Sequence, residues 1–212
     1  MSPPESTFAT NKVRDFFGGL YRTHGDSFKA LDYGSVETQR KKFQVLASVG
    51  DLKNASVLDV GCGFGDLLDF LSPDREPARY VGVDLVPEIV EAARARDRSS
   101  MQATKIGFEV GNILDGRSGL PDEVFDYVVC TGFNCVDTGR NFEDLKTAMR
   151  CMLEIARIGV AFGMVSTYAD RKNPTTYYAP PEAVLTEAFS LTPRVALRHD
   201  YMPHDFTIFL YK

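Results

Sequence analysis

Residues 57–71 read VLDVGCGFGDLLDFL. Val57, Leu58 and Val60 form a short apolar run of the kind that makes a buried strand, and the leucines from Leu67 onward fall at helical spacing. Between strand and helix, Gly61, Cys62, Gly63 and Gly65 form a turn with glycine at every second position. A turn this tight needs glycine where φ is positive or where a ligand approaches the backbone closely. The backbone N–H groups and the helix N-terminus then favour an electron-rich ligand group. A sharp turn with a purely structural purpose would use the same residues, so the neighbours have to decide.

The dinucleotide phosphate fingerprint is GxGxxG, whereas this turn is GxGxG with an acid, Asp59, two residues before the first glycine. A carboxylate there repels pyrophosphate but accepts hydrogen bonds from an ammonium group. A second acid, Asp84, ends the next apolar run, Tyr80–Asp84, about 20 residues on, where a carboxylate can take both ribose hydroxyls. The implied ligand carries ribose and an amine, and no phosphate.

Outward from this centre, strands and helices alternate, which indicates parallel βαβ units with right-handed crossovers. Helices are expected over Asn11–Tyr21 (weakened by Gly18-Gly19), from the cap Ser35 to Val49, from Pro87, over Asn141–Ile158 and over Pro181–Phe189. Strands are expected over Ala55–Val60, Tyr80–Asp84, Ile106–Ile113, Phe125–Thr131 and Val160–Val165. Arg194–Tyr201 and Asp205–Tyr211 form a last hairpin linked by Met202-Pro-His204, which forces one antiparallel strand into the sheet. The fold class is therefore α/β: a Rossmann-like, seven-stranded, mostly parallel sheet with helices on both faces. Residues 1–34 are read as a tail, mobile over 1–8, followed by a lid helix, and 35–212 as the ligand-binding part of a single domain.

The chain has 212 residues and a net charge of −5, which argues against an electrostatic nucleic-acid binder. Its four cysteines form no CxxC pair and three histidines are present, so no zinc cluster is expected and the thiols read as reduced. The N-terminus lacks a secretory pattern, and apolar runs fall short of the roughly 18 residues of a membrane span, so a soluble cytoplasmic protein is expected. A homodimer is allowed, and no sequence feature selects it.

VLDVGCGFGDLLDFL, YVGVDLVPEIVEAA, FEVGNIL and FDYVVCTGFN, in that order, resemble the successive motifs of class I S-adenosylmethionine (SAM)-dependent methyltransferases. The terminal DFTIFLYK resembles that family's reversed seventh strand, so the likeness runs over about residues 35–212. The resemblance implies that Gly61 and Gly63 lie against the methionine part of SAM, with Asp59 near its amine. Asp84 would hold the ribose, Leu85 would flank the adenine, and Ile113 would cover its face. Where the family usually has an aspartate facing the adenine amine, this chain has Asn112, whose side-chain oxygen can accept the same bond. Arg40 stands where many small-molecule members pair an arginine with the SAM carboxylate; a solvated charge in the run Arg40-Lys41-Lys42 is the alternative.

Ligands of open α/β sheets sit beyond the carboxyl ends of the parallel strands. That rule selects Thr131, Phe133, Asn134, Cys135 and Asp137, as ligand contacts or as a cap for the next helix. It also selects the long loop 166–181, with Tyr177 and Tyr178. These two, Tyr21 and Tyr33 are candidates for cation–π contact with a sulfonium. His199 and His204 lie on the same rim as candidate bases, or pair with Asp200 and Asp205. The expected activity is methyl transfer to a small molecule. Cyclisation of SAM alone to azetidine-2-carboxylate and methylthioadenosine, and a non-catalytic SAM-binding module, are the alternatives.

Overall fold

The computed structural model describes residues 5–101, 104–120, 124–133 and 135–212. Its strands are β1 (Ser56–Val60), β2 (Arg79–Asp84), β3 (Lys105–Val110), β4 (Phe125–Thr131), β5 (Ala156–Val165), β6 (Arg194–Met202) and β7 (Asp205–Tyr211). The helices are α1 (Glu5–His24), α2 (Val36–Leu46), α3 (Asp66–Leu71), α4 (Pro87–Ala95), α5 (Asn141–Ile155) and α6 (Pro181–Leu191). The seven strands lie in the order β3-β2-β1-β4-β5-β7-β6, and β7 runs antiparallel to both neighbours.

Side chains on successive strand residues point to opposite faces, and β1 shows how each face is filled. Leu58 and Val60 join the cluster that contains Leu145, Met149 and Met152 of α5 and Val184 and Ala188 of α6. Val57 points the other way, into a cluster with Phe43 of α2, Leu67 and Leu71 of α3 and Val90 of α4. The sheet is thus covered on both faces. The strand order reverses between β1 and β4, and ligand clefts open at such a switch point.

Several element ends differ from the expected ones. α1 begins at Glu5, six residues before Asn11, and runs through Gly18-Gly19. Packing offsets the glycine cost: Phe17 and Tyr21 lie on a small cluster of Ala30, Phe64, Val86 and Ile89. β3 stops at Val110, because Gly111 and Asn112 turn the chain into a 3₁₀ segment, Ile113–Gly119. α5 ends at Ile155 and β5 starts at the next residue, since Ala156 is already extended at its cap. α6 continues two residues past Phe189, to Leu191. The β6–β7 link is the pair Pro203-His204, because Met202 still pairs with Asp205. Ser35 caps α2 as expected, but its reciprocal partner is Thr38: each hydroxyl accepts the other's backbone N–H, both at 3.1 Å.

Candidate active site

The turn after β1 is stitched to β2. The N–H groups of Gly61 and Cys62 both donate to the Val83 carbonyl, at 2.8 and 3.1 Å. The three turn glycines all have positive φ, but they differ in what lies beside them. A Cβ on Gly61 would meet nothing nearer than the Thr131 carbonyl at 4.0 Å, so this residue faces open space. A Cβ on Gly63 would stand 2.6 Å from Leu31, and one on Gly65 would strike Phe108 and Arg98, each at 2.7 Å. Gly61 therefore leaves room in a cleft, whereas the other two make room for side chains.

That cleft lies at the switch point, with about 1160 Å³ of space between its residues, the solvent at its mouth included. One wall holds Asp59, Gly61, Cys62, Asp84, Leu85, Asn112 and Ile113. The cleft is also lined by Leu31, Tyr33, Phe43, Phe133, Cys135 and Val136, with Thr131 at the end of β4. Ala9, Thr10, Val13 and Phe17 of α1 form the roof. The roof is tied down at its edges: Lys12 donates to the Asp137 carbonyl at 2.5 Å, and Arg96 pairs with Asp26 just beyond α1.

The two acids of the wall are held differently. Asp84 accepts the N–H groups of Gly63 and Val86, both at 3.0 Å. Burial raises its pKa, and those backbone bonds oppose the rise. Asp59 is buried and accepts the Tyr80 hydroxyl. Burial pushes the Asp59 carboxyl up to about 7; the Tyr80 bond opposes the rise, and the charges of Asp84 and Asp66 add to it. Asn112 uses its side-chain oxygen to accept the Leu114 N–H at 3.1 Å and faces Thr10 of the roof at 3.5 Å.

Other candidates stand off the wall. Arg40 is exposed and lies over the Phe70 ring, 5.7 Å from its centroid. Gly63 is covered by Leu31 and Gly65 by Phe108, so neither lines the cleft. Tyr177 packs on the main core, and its N–H donates to the Cys135 carbonyl at 2.8 Å. The Tyr178 hydroxyl accepts the Asn173 N–H at 2.6 Å. His204 is exposed beside Asp205 at 3.3 Å, and His199 bonds Ser166 at 2.8 Å. Asn134 lies outside the described residues. Of the four candidate tyrosines, Tyr33 is the one on the cleft, where it bonds Thr131; Tyr21 packs on Phe64. The roof residues and Leu31 carry no local signal beyond apolar spacing, and sequence reasoning did not single them out.

The family model described as a methyltransferase domain matches residues 51–196. The chain belongs to that family. This methyltransferase is 31% identical over 168 residues to a Mycobacterium tuberculosis protein that bears a methyltransferase name, Rv1506c, covering 74% of this chain and 93% of that one. It is 28% identical over 130 residues to the demethylmenaquinone methyltransferase of Symbiobacterium thermophilum, covering 59% of this chain and 49% of that protein. In fold it is similar to the magnesium protoporphyrin IX methyltransferase of Synechocystis, crystallised with S-adenosylhomocysteine. The TM-score is 0.67 at 14% identity, over 96% of this chain and 99% of the other. The methyltransferase is thus a class I SAM-dependent transferase, and its methyl donor is SAM.

Proposed function

We propose that this methyltransferase acts on a small-molecule acceptor held with SAM beneath α1. The observation that carries this reading is the lining of the cleft, which joins two acids, a glycine and the apolar Leu85 and Ile113 to aromatic and apolar residues that include Val13 and Phe17 of α1. The placement of α1 over the cleft favours a small acceptor over a macromolecular one.

In this reading Asp59 takes the ammonium of SAM, Asp84 the two ribose hydroxyls, and Gly61 and Cys62 lie along its methionine chain. Leu85 and Ile113 flank the adenine, and Asn112 offers the remaining lone pair of its oxygen to the exocyclic amine. Tyr33 presents an aromatic face near the sulfonium, worth about 0.5–2 kcal/mol. Thr131 fixes the Tyr33 hydroxyl, and Phe133 closes the wall beside it. SAM supplies a methyl already activated for displacement, so the chain's own task is to align the acceptor and exclude water. No residue has to form a covalent intermediate.

No helix among the described residues is long and apolar enough to cross a membrane, which supports a cytoplasmic enzyme working on dissolved metabolites. The test is product analysis after incubating pure protein with SAM, with and without a small-molecule cell extract. S-adenosylhomocysteine formed only with extract is expected. Methylthioadenosine with a cyclic amino acid from SAM alone would make it a cyclase, and binding without turnover in any fraction a SAM-binding module.

A further inference from the structure

The charge of the cleft restricts what the acceptor can be. Among the described residues that line it there is no Lys, Arg or His, whereas four are aspartates: Asp59, Asp66, Asp84 and Asp144. Two of these have an arginine behind them. Arg96 meets Asp66 at 2.5 Å, and Arg140 meets Asp144 at 3.6 Å. Asp59 and Asp84 have neutral donors, the Tyr80 hydroxyl and the N–H groups of Gly63 and Val86.

The nearby cations are committed elsewhere. Lys42 pairs with the buried Asp205 at 2.8 Å, its ammonium over the Tyr33 ring at 5.6 Å from the centroid. Lys12 is exposed and donates to the Asp137 carbonyl. Bound SAM brings a single net positive charge and its ammonium favours the ionised form of Asp59, so with Asp84 the two uncompensated carboxylates keep the balance negative. An anionic acceptor would give up its hydration among Val13, Phe17, Leu31 and Phe43 with no counter-ion on the wall. Burying an unpaired charge is strongly unfavourable, and a binding site rejects competitors by such means.

We propose that the acceptor is an apolar molecule without carboxylate, phosphate or sulfate, carrying a neutral hydroxyl or an amine as its nucleophile. This inference rests on the small-molecule methyltransferase reading above. In the transfer the lone pair of the acceptor's oxygen or nitrogen forms the bond to the methyl carbon. The carbon–sulfur pair stays with sulfur, and the acceptor's proton leaves to water. Tyr33, with its hydroxyl bonded to Thr131, is a neutral polar group on the cleft that can meet the nucleophile.

The experiment splits a small-molecule cell extract on a strong anion exchanger and incubates each pool with the full chain and methyl-labelled SAM. SAM binding is followed in parallel by calorimetry. At least ten-fold more label in the unretained pool, in a product that passes into organic solvent, is expected. Label confined to the retained, anionic pool overturns the inference and leaves the methyltransferase reading standing. No label in either pool, with SAM still bound, overturns that reading and this inference with it.

Discussion

Tyr80 donates its phenolic hydrogen to Asp59 at a point where neither residue meets solvent: Tyr80 is 0% exposed and Asp59 3%. Strand register pairs Val57 with Tyr80 and Asp59 with Gly82, so the ring extends along β2 to reach the acid on its neighbour. The Asp59 carboxyl, pushed up to about 7 by burial, therefore titrates in the physiological range.

SAM affinity should fall as pH drops through about 7, because an ammonium is held by the ionised form of Asp59. Calorimetric titration from pH 8.5 to 5.5 should approach a tenfold weakening per unit on the acid side, and Asp59→Asn should flatten the profile at low affinity. Stability of the free protein runs the other way through this group. Its folded pKa lies above the unfolded value, so the native chain holds a proton that the unfolded chain lacks between about pH 4 and 7. That contribution is present at low pH and lost as pH rises through 7.

Tyr80→Phe removes the hydroxyl donor from the buried acid. A loss of about 1–3 kcal/mol in stability is expected, read as a lower denaturant midpoint with unchanged slope. The acid limb of SAM binding should move to higher pH, since the bond to Tyr80 lowers the Asp59 pKa. A profile that stays in place would show that Asp59 does not hold the ammonium.

Gly61→Ala and Gly63→Ala should separate ligand from scaffold. Both positions have positive φ, at 71° and 55°, so each alanine costs about 1–2 kcal/mol in backbone strain. The Gly61 methyl then projects into the cleft, and SAM affinity should fall at least tenfold in a folded protein. The Gly63 methyl collides with Leu31 instead. A second change, Leu31→Ala, should restore part of the melting temperature lost by Gly63→Ala but none of that lost by Gly61→Ala.

Lys42→Met removes the lysine partner of the buried Asp205 and leaves His204 at 3.3 Å as its remaining partner, at a cost of up to about 3–5 kcal/mol. Thermal melts should show a large drop that the double change Lys42→Met with Asp205→Asn mostly recovers. Equal melting temperatures for wild type and the single variant would mean that the pair contributes nothing.

The sheet and the wall with Asp59 and Asp84 were legible in sequence because their signals are local: an acid, a spaced glycine turn and a second acid within one βαβ unit. A lid helix was expected from apolar spacing, but the contacts that hold the other half of the cleft were not legible. The roof bond from Asn112 to Thr10 spans 102 residues and the one from Lys12 to Asp137 spans 125, and no periodicity reports such pairings. Loop 166–181 supplies no residue to the cleft among those described, for a physical reason. Its length and tyrosines suit a binding loop, but Val136 pairs with Thr176, and Asp137 takes the Thr175 carbonyl at 2.9 Å. The loop braces the neighbouring segment: Tyr177 packs on the core, and the Tyr178 hydroxyl takes the Asn173 N–H within the loop.

The family model begins at residue 51, whereas Val13, Phe17, Leu31, Tyr33 and Phe43 all precede it. Part of the cleft's lining is thus drawn from outside the matched domain. On the reading proposed above, substitutions in that leading segment would reshape the space beside the methyl group while the strands beneath it stay as they are.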